Sequence, residues 1–155
     1  MEILIDSRET SPLKFNSPYI TTTTRIKLDF GDYQAKFKDG YIPPVSFERK
    51  ALGDLFSTLS KGYPRFKKEI NRSVKAESLL VIIVECNLTR ILKGYRYSKR
   101  SGSEITKQLF TLMIKHHIPF VCCKDRKEIS EYITRTFVAL GEQYMRGKKK
   151  LKAKV

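Results

Sequence analysis

The spacing of apolar residues changes period near residue 51, separating an early β region from a later part in which strands and helices alternate. Glu2 to Asp6 is a short apolar run ending in polar residues and predicts a first strand. Pro12 and Pro18 mark a loop over residues 10–20, and the β-branched stretch Thr21 to Leu28 predicts a second strand. Two more strand-like runs, Tyr33 to Phe37 and Val45 to Arg49, flank the turn signals Asp39-Gly40 and Pro43-Pro44. Beyond Ala51, Leu52, Leu55, Phe56 and Leu59 fall at helical spacing, and Phe66, Ile70 and Val74 do so after the break at Gly62-Tyr63-Pro64. The run Leu79 to Glu85 predicts a central strand buried on both faces. Ser101 and Glu104 have capping-box spacing ahead of a helix through Ile105, Leu109 and Leu112. Phe120 to Cys122 predicts a further strand. Asp125 and Glu128 open a last helix whose inner face carries Ile129, Tyr132, Ile133, Phe137 and Leu140. This order predicts an α/β fold, a mixed β-sheet flanked by α-helices.

Side chains alternate between the two faces of a strand. In the second strand of the hairpin Ser46, Glu48 and Lys50 share one face, and Val45, Phe47 and Arg49 the other. In the first strand Tyr33, Ala35 and Phe37 form the apolar set, which leaves Asp32, Gln34 and Lys36 opposite. A turn near Gly40-Tyr41 sets Asp32 against the Glu48–Lys50 end, so two carboxylates and a lysine converge. Paired carboxylates suit a hard divalent cation, which prefers oxygen ligands and shares its remaining positions with water or phosphate. A neighbouring lysine can orient an attacking water or neutralise charge on a phosphate. The same spacing also fits a solvent-facing hairpin with Glu–Lys pairs.

Charge narrows the choice of partner. The chain has 31 Lys and Arg against 16 Asp and Glu, a net +15 in 155 residues. Six cations and no acids lie in residues 146–155, so the remainder still carries +9. Such a field attracts polyanions, nucleic acid first and acidic membrane second, without separating an enzyme from a binder. A composition of 41% hydrophobic and 30% charged residues fits one globular domain. The longest apolar run, Leu79 to Val84, is far short of the roughly 18 residues that cross a bilayer. The N-terminus lacks the pattern of a signal peptide, and Cys86, Cys122 and Cys123 have no zinc-site spacing and predict reduced thiols. The expectation is an intracellular chain, cytoplasmic or nuclear. It would hold one domain over residues 1–145 and a basic, disordered arm over residues 146–155.

The ordered motifs resemble those of the nuclease domain of XPF and the archaeal endonuclease Hef, within the restriction-endonuclease-like superfamily. Gly31-Asp32-Tyr33 is followed by Glu48-Arg49-Lys50 and, after three residues, by Asp54. Ile5-Asp6-Ser7-Arg8-Glu9 resembles the first-strand element that precedes them, and Gly62 to Glu69 and Leu79 to Glu85 are similar too. The resemblance spans Glu2 to Tyr144. It implies a restriction-endonuclease-like fold and a DNA endonuclease dependent on Mg²⁺ or Mn²⁺, acting on branched, flap or junction DNA. By that resemblance Asp32 and Glu48 ligate the metal, with Asp6 doing so directly or through water, and the backbone carbonyl of Arg49 is a further oxygen. Lys50 would position water or phosphate, Asp54 would hold Lys50 or Arg49, and Arg8 and Arg49 would contact phosphate or brace the acids. For Arg8, Glu9 and Asp54 a structural ion pair is an equal alternative.

Family members also carry helix-hairpin-helix modules that grip branched DNA, and this sequence contains none, which leaves the choice of DNA structure open. They dimerise through their nuclease domains, so a homodimer or heterodimer is implied, with Tyr132, Ile133 and Phe137 as either contacts or core. The alternative function is a nucleic-acid-binding subunit that is non-catalytic or depends on a partner.

Between Asn87 and Ser103, Arg90, Lys93, Arg96, Lys99 and Arg100 alternate with Tyr95 and Tyr97, and no acid intervenes. Cations neutralise phosphates and tyrosines stack on unpaired bases, although a solvated basic loop explains the same pattern. Arg8, Arg49, Tyr63, Arg65, Arg96, Lys99 and Arg100 are the candidate nucleic-acid contacts. His116-His117 at a helix end and Cys122-Cys123 at a strand end fit structural roles.

Overall fold

The computed structural model describes residues 1–152. Its elements run β1 (Glu2–Asp6), β2 (Thr22–Ile26), β3 (Tyr33–Lys36), β4 (Val45–Lys50), α1 (Leu52–Thr58), α2 (Tyr63–Lys75), β5 (Leu79–Val84), α3 (Leu88–Leu92), α4 (Gly102–His116), β6 (Phe120–Cys122) and α5 (Arg126–Lys152). The strands form one sheet in the order β2-β1-β3-β4-β5-β6. The pairings β1–β2, β4–β5 and β5–β6 are parallel, and β1–β3 and β3–β4 are antiparallel. This is the mixed α/β sheet that the order of elements predicts.

β4, β5 and β6 step in one direction across the sheet, so right-handed crossovers place both helical connections on the same face. There Leu55 and Phe56 of α1, Phe66 and Ile70 of α2, and Ile105 and Leu109 of α4 pack on Leu80, Ile82 and Val84 of β5. α5 returns over the other face, where Ile129, Ile133 and Phe137 meet Ile3, Tyr33, Phe47 and Ile83. β5 is buried from both sides, as its uninterrupted apolar run predicts. Each such large side chain, fully buried, contributes about 1.5–3 kcal/mol.

Several expectations are corrected. Val74 is exposed and Ser73 takes the inward place, because the helical period that starts at Phe66 and Ile70 reaches residue 73 first. Ser73 satisfies its hydroxyl by donating to the Ile70 carbonyl at 2.8 Å. Ile133 and Phe137 are fully buried and so leave the set of dimer contacts; Tyr132 stays partly exposed, edge-on to Phe47. Part of the basic loop is the short helix α3, capped by the Asn87 side chain, which accepts from the Arg90 N–H at 2.8 Å. The arm expected from Arg146 is instead a continuation of α5 as far as Lys152. Tyr144 stacks on Tyr41 at 4.1 Å, and Lys148 pairs with Asp39, which anchors that helical turn to the β3–β4 loop. The end of the expected arm, residues 153–155, lies outside the described residues. None of the described helices is long and apolar enough to cross a membrane.

The hairpin register is what places the polar pair. Tyr33 lies across from Phe47, which sets Asp32 level with Glu48. Gly31 leads into β3 with φ +71°, and a Cβ there would stand 2.0 Å from Ser46 Oγ. Ser46 Oγ in turn donates to the Phe30 carbonyl at 3.0 Å. Only glycine combines that dihedral with that close approach. Gly31→Ala is expected to lower stability by about 1–3 kcal/mol, read as a lower urea midpoint. An unchanged midpoint would contradict this reading of the turn.

Candidate active site

Within the sheet β4 turns its polar face toward the side that α1 and α2 cover, and Glu48 and Lys50 are buried at 5% and 9% exposure. Lys50 Nζ lies 2.6 Å from Glu48 Oε1 and 3.2 Å from Asp54 Oδ2, and 5.9 Å from the centre of the Phe66 ring. Asp54 is in the first turn of α1, where a carboxylate also favours the helix N-terminus. Asp32 comes in from β3, and its Oδ2 accepts the Arg49 backbone N–H at 2.8 Å. Asp32, Glu48 and Lys50 therefore share one face, as the strand parity predicts, and Asp54 joins them from the first turn of α1. A cavity of about 260 Å³ opens on Asp6, Asp32, Glu48 and Glu69 and is rimmed by Arg8, Arg65 and Arg72. A second, of about 350 Å³, lies toward Arg8, Asp32, Lys50 and Asp54.

Burial dominates the electrostatics. It pushes the Asp32 carboxyl up to about 7, against the Arg49 amide and the Lys50 charge, while Glu9 and Glu69 push the same way as burial. Burial, and then the charge of Asp32, raises Glu48 well above the carboxylate range despite Lys50. For Lys50 burial opposes the charge, but Glu48, Asp54 and Asp32 outweigh it, so the ammonium is held above its ordinary value. The cluster contains more negative charge than one lysine balances.

Other expected residues are placed differently. Asp6 is spent on Arg8: Oδ1 accepts the Arg8 backbone N–H and Nε–H at 2.7 and 2.9 Å, and Oδ2 accepts Nη2–H at 2.6 Å. Arg8 holds Asp6 below the usual carboxylate range despite its burial. Among the described residues no group of three or more His, Cys, Asp or Glu side chains is arranged to hold a metal ion. Asp6 and Glu69 also line the cavity, but Asp6 is engaged by Arg8 and Glu69 by the Gly31 N–H, whereas Asp32 and Glu48 meet there beside Lys50.

Arg49 is a brace rather than a free phosphate contact. Its guanidinium pairs with Glu85 at 2.6 Å and with Glu9 at 3.3 Å, tying β4 to β5 and to the segment after β1. Arg100 is likewise committed, donating to the Leu59 carbonyl and to Gln108 Oε1, each at 2.5 Å. Tyr63 starts α2 and packs against the core. Arg65, Arg96 and Lys99 are exposed. Sequence reasoning missed Glu69 and Arg72. Glu69 Oε1 accepts the Gly31 N–H at 2.7 Å, and Arg72 donates to the Asp29 carbonyl at 2.7 Å. Their signal was present, since Arg65, Glu69 and Arg72 follow helical spacing along one side of α2.

Two outcomes follow from this geometry. Arg49→Ala removes the cation that Glu9 and Glu85 share and is expected to destabilise the fold by about 2–4 kcal/mol in urea denaturation. A loss below about 0.5 kcal/mol would mark Arg49 as a surface residue instead. The folded pKa of Asp32, about 7, stands above its ordinary 3.8, so the folded state holds a proton that the unfolded chain gives up. Stability from this group is full below about pH 4 and is lost as pH rises toward 7. Without divalent ions, Asp32→Asn should therefore stabilise the protein by about 1–3 kcal/mol at pH 8 and hardly at all at pH 4. A mutant no more stable than the wild type at pH 8 would refute the buried charge.

Comparison with known proteins agrees with this architecture. No curated protein sequence matches the chain. XPF from Aeropyrum pernix has the same fold, with a TM-score of 0.65 at 18% identity over 97% of this chain and 69% of that one. The structure of XPF from Aeropyrum pernix in complex with DNA superposes with a TM-score of 0.63 at 20% identity, over 92% of this chain and 65% of that one. Residues 5–136 match the ERCC4 domain, and the chain therefore belongs to the ERCC4-domain family.

Proposed function

We propose that this chain is a divalent-metal-dependent endodeoxyribonuclease that hydrolyses phosphodiester bonds in branched, flap or junction DNA. The observation that carries the reading is a pair of buried carboxylates, Asp32 and Glu48, pushed toward their protonated forms in a cavity beside a fully charged lysine. Oxygen donors with too little positive charge around them fit Mg²⁺ or Mn²⁺. When bound, such an ion polarises the phosphoryl group and makes water more acidic.

The chain's own groups have separable tasks. Asp32 and Glu48 would hold the ion, Asp32 being fixed by the Arg49 amide. Lys50 keeps its proton, so it orients a water or screens charge on the phosphate and does not act as the base. Asp54 and Glu48 set the direction of its ammonium group. Arg65, exposed at the rim, meets a neighbouring phosphate, while Arg8 and Arg72, held by Asp6 and the Asp29 carbonyl, add positive potential there. The DNA complex of XPF from Aeropyrum pernix, a protein of the same fold, supports DNA as the substrate.

The test is cleavage of labelled forks, flaps and four-way junctions by the purified chain with Mg²⁺ or Mn²⁺. Expected is cutting that EDTA abolishes and that Asp32→Asn or Glu48→Gln lowers by about 100-fold or more. Undiminished cutting under either change would overturn the mechanism. Tight binding without cutting at any metal concentration would favour a nucleic-acid-binding subunit that is non-catalytic or depends on a partner.

A further inference from the structure

A cleft of about 660 Å³ lies beside α1, lined by Gly53, Phe56 and Ser57 of that helix. Its floor is aromatic: Phe56 and Tyr95 have ring centres 5.9 Å apart. Tyr95 lies directly against α1 because residue 53 is glycine, where a Cβ would come within 2.9 Å of the tyrosine ring and hydroxyl. Tyr97 stands at its mouth, 5.5 Å from Tyr95 and inclined at 70° to it, and is 73% exposed. The Arg96 guanidinium lies 4.8 Å from the Tyr97 ring centre. Every charged side chain that lines the cleft is a cation, namely Lys61, Lys99 and Arg100.

Aromatic surface beneath a purely cationic rim selects a flat apolar group joined to an anion. A nucleotide is such a ligand, and its base is free to enter only where it is unpaired. Gly53 lines this cleft, while the next residue, Asp54, lines the cavity that holds Asp32 and Lys50. The two openings are therefore separated by only the first turn of α1.

We propose that the Gly53–Tyr95–Tyr97 cleft receives an unpaired nucleotide of the substrate. Its base stacks on Tyr97, and its phosphates lie toward Lys61 and Lys99. A strand cut at Asp32 and Glu48 would pass the start of α1 to reach it, which gives the enzyme a contact that only DNA with a single-stranded arm can make. This rests on the nuclease reading for the direction of the strand, but the binding site is testable without cleavage.

The experiment measures affinity of the purified chain in EDTA, by fluorescence anisotropy, for a fork with oligo-dT arms and for a blunt duplex of the same stem. Tyr97→Ala is expected to weaken fork binding about 5- to 50-fold and to leave duplex binding unchanged. Tyr97→Phe, which keeps the stacking face, should bind the fork like the wild type. The exposed position of Tyr97 spares the fold, and equal melting temperatures check this. Equal fork affinity in Tyr97→Ala and the wild type, or an equal loss for fork and duplex, would overturn the proposal. A selective loss of fork binding in a chain that proves unable to cut DNA would uphold this site while removing the nuclease reading.

Discussion

Asp32, immediately before β3, and Glu48, on the neighbouring antiparallel β4, lie level with each other in a place that water reaches poorly. Burial makes both charges hard to keep, the charge of Asp32 adds to the burden on Glu48, and Lys50 offsets only part of it. Left alone, such a pair destabilises the fold, since every burial term that raises their proton affinity is free energy withheld from the folded state at neutral pH. The proposed cation would relieve that cost, since the neighbouring Arg8 and Arg49 are engaged by other carboxylates.

The braces show this division. Arg8 is absorbed by Asp6 and Arg49 by Glu9 and Glu85, so two strong cations near the pair are already neutralised. Lys50 alone is shared with Glu48, and Asp54 draws its ammonium toward α1. Gly31 passes close against Ser46 and permits the turn that leads into Asp32, and Glu69 of α2 fixes that turn by accepting the Gly31 N–H. Scaffold and site are thus held by the same few residues, so changes to Gly31 or Arg49 act on both.

Much of this was legible in the sequence because strand periodicity has only two phases. Once Tyr33, Ala35, Val45 and Phe47 are recognised as the apolar set, Asp32, Glu48 and Lys50 must share the opposite face, and the turn at Gly40 fixes their level. The buried β5 and the Ser101–Glu104 capping box were readable for similarly local reasons. Side-chain partners that come from distant segments were not readable. Arg49 meets Glu9 and Glu85, 40 and 36 residues away, and nothing in its own neighbourhood names them. Helical phase caused the slip at Val74, because an apolar residue one position off the inner stripe looks like a continuation of it. α3 has five residues, too short for a period to show, and the turns after Arg146 are secured by Tyr41 and Asp39 from another part of the chain.

The most direct test of the carboxylate pair is calorimetric titration of the metal-free protein with Mn²⁺ at pH 6, in buffers of different ionisation heat. At that pH Asp32 holds a proton in the folded state, so binding the ion must expel it. The expected result is release of at least one proton per ion by the wild type, with binding lost in Asp32→Asn. Mn²⁺ that binds without releasing a proton, or that binds Asp32→Asn as tightly as the wild type, would contradict the assignment of this pair as the cation site.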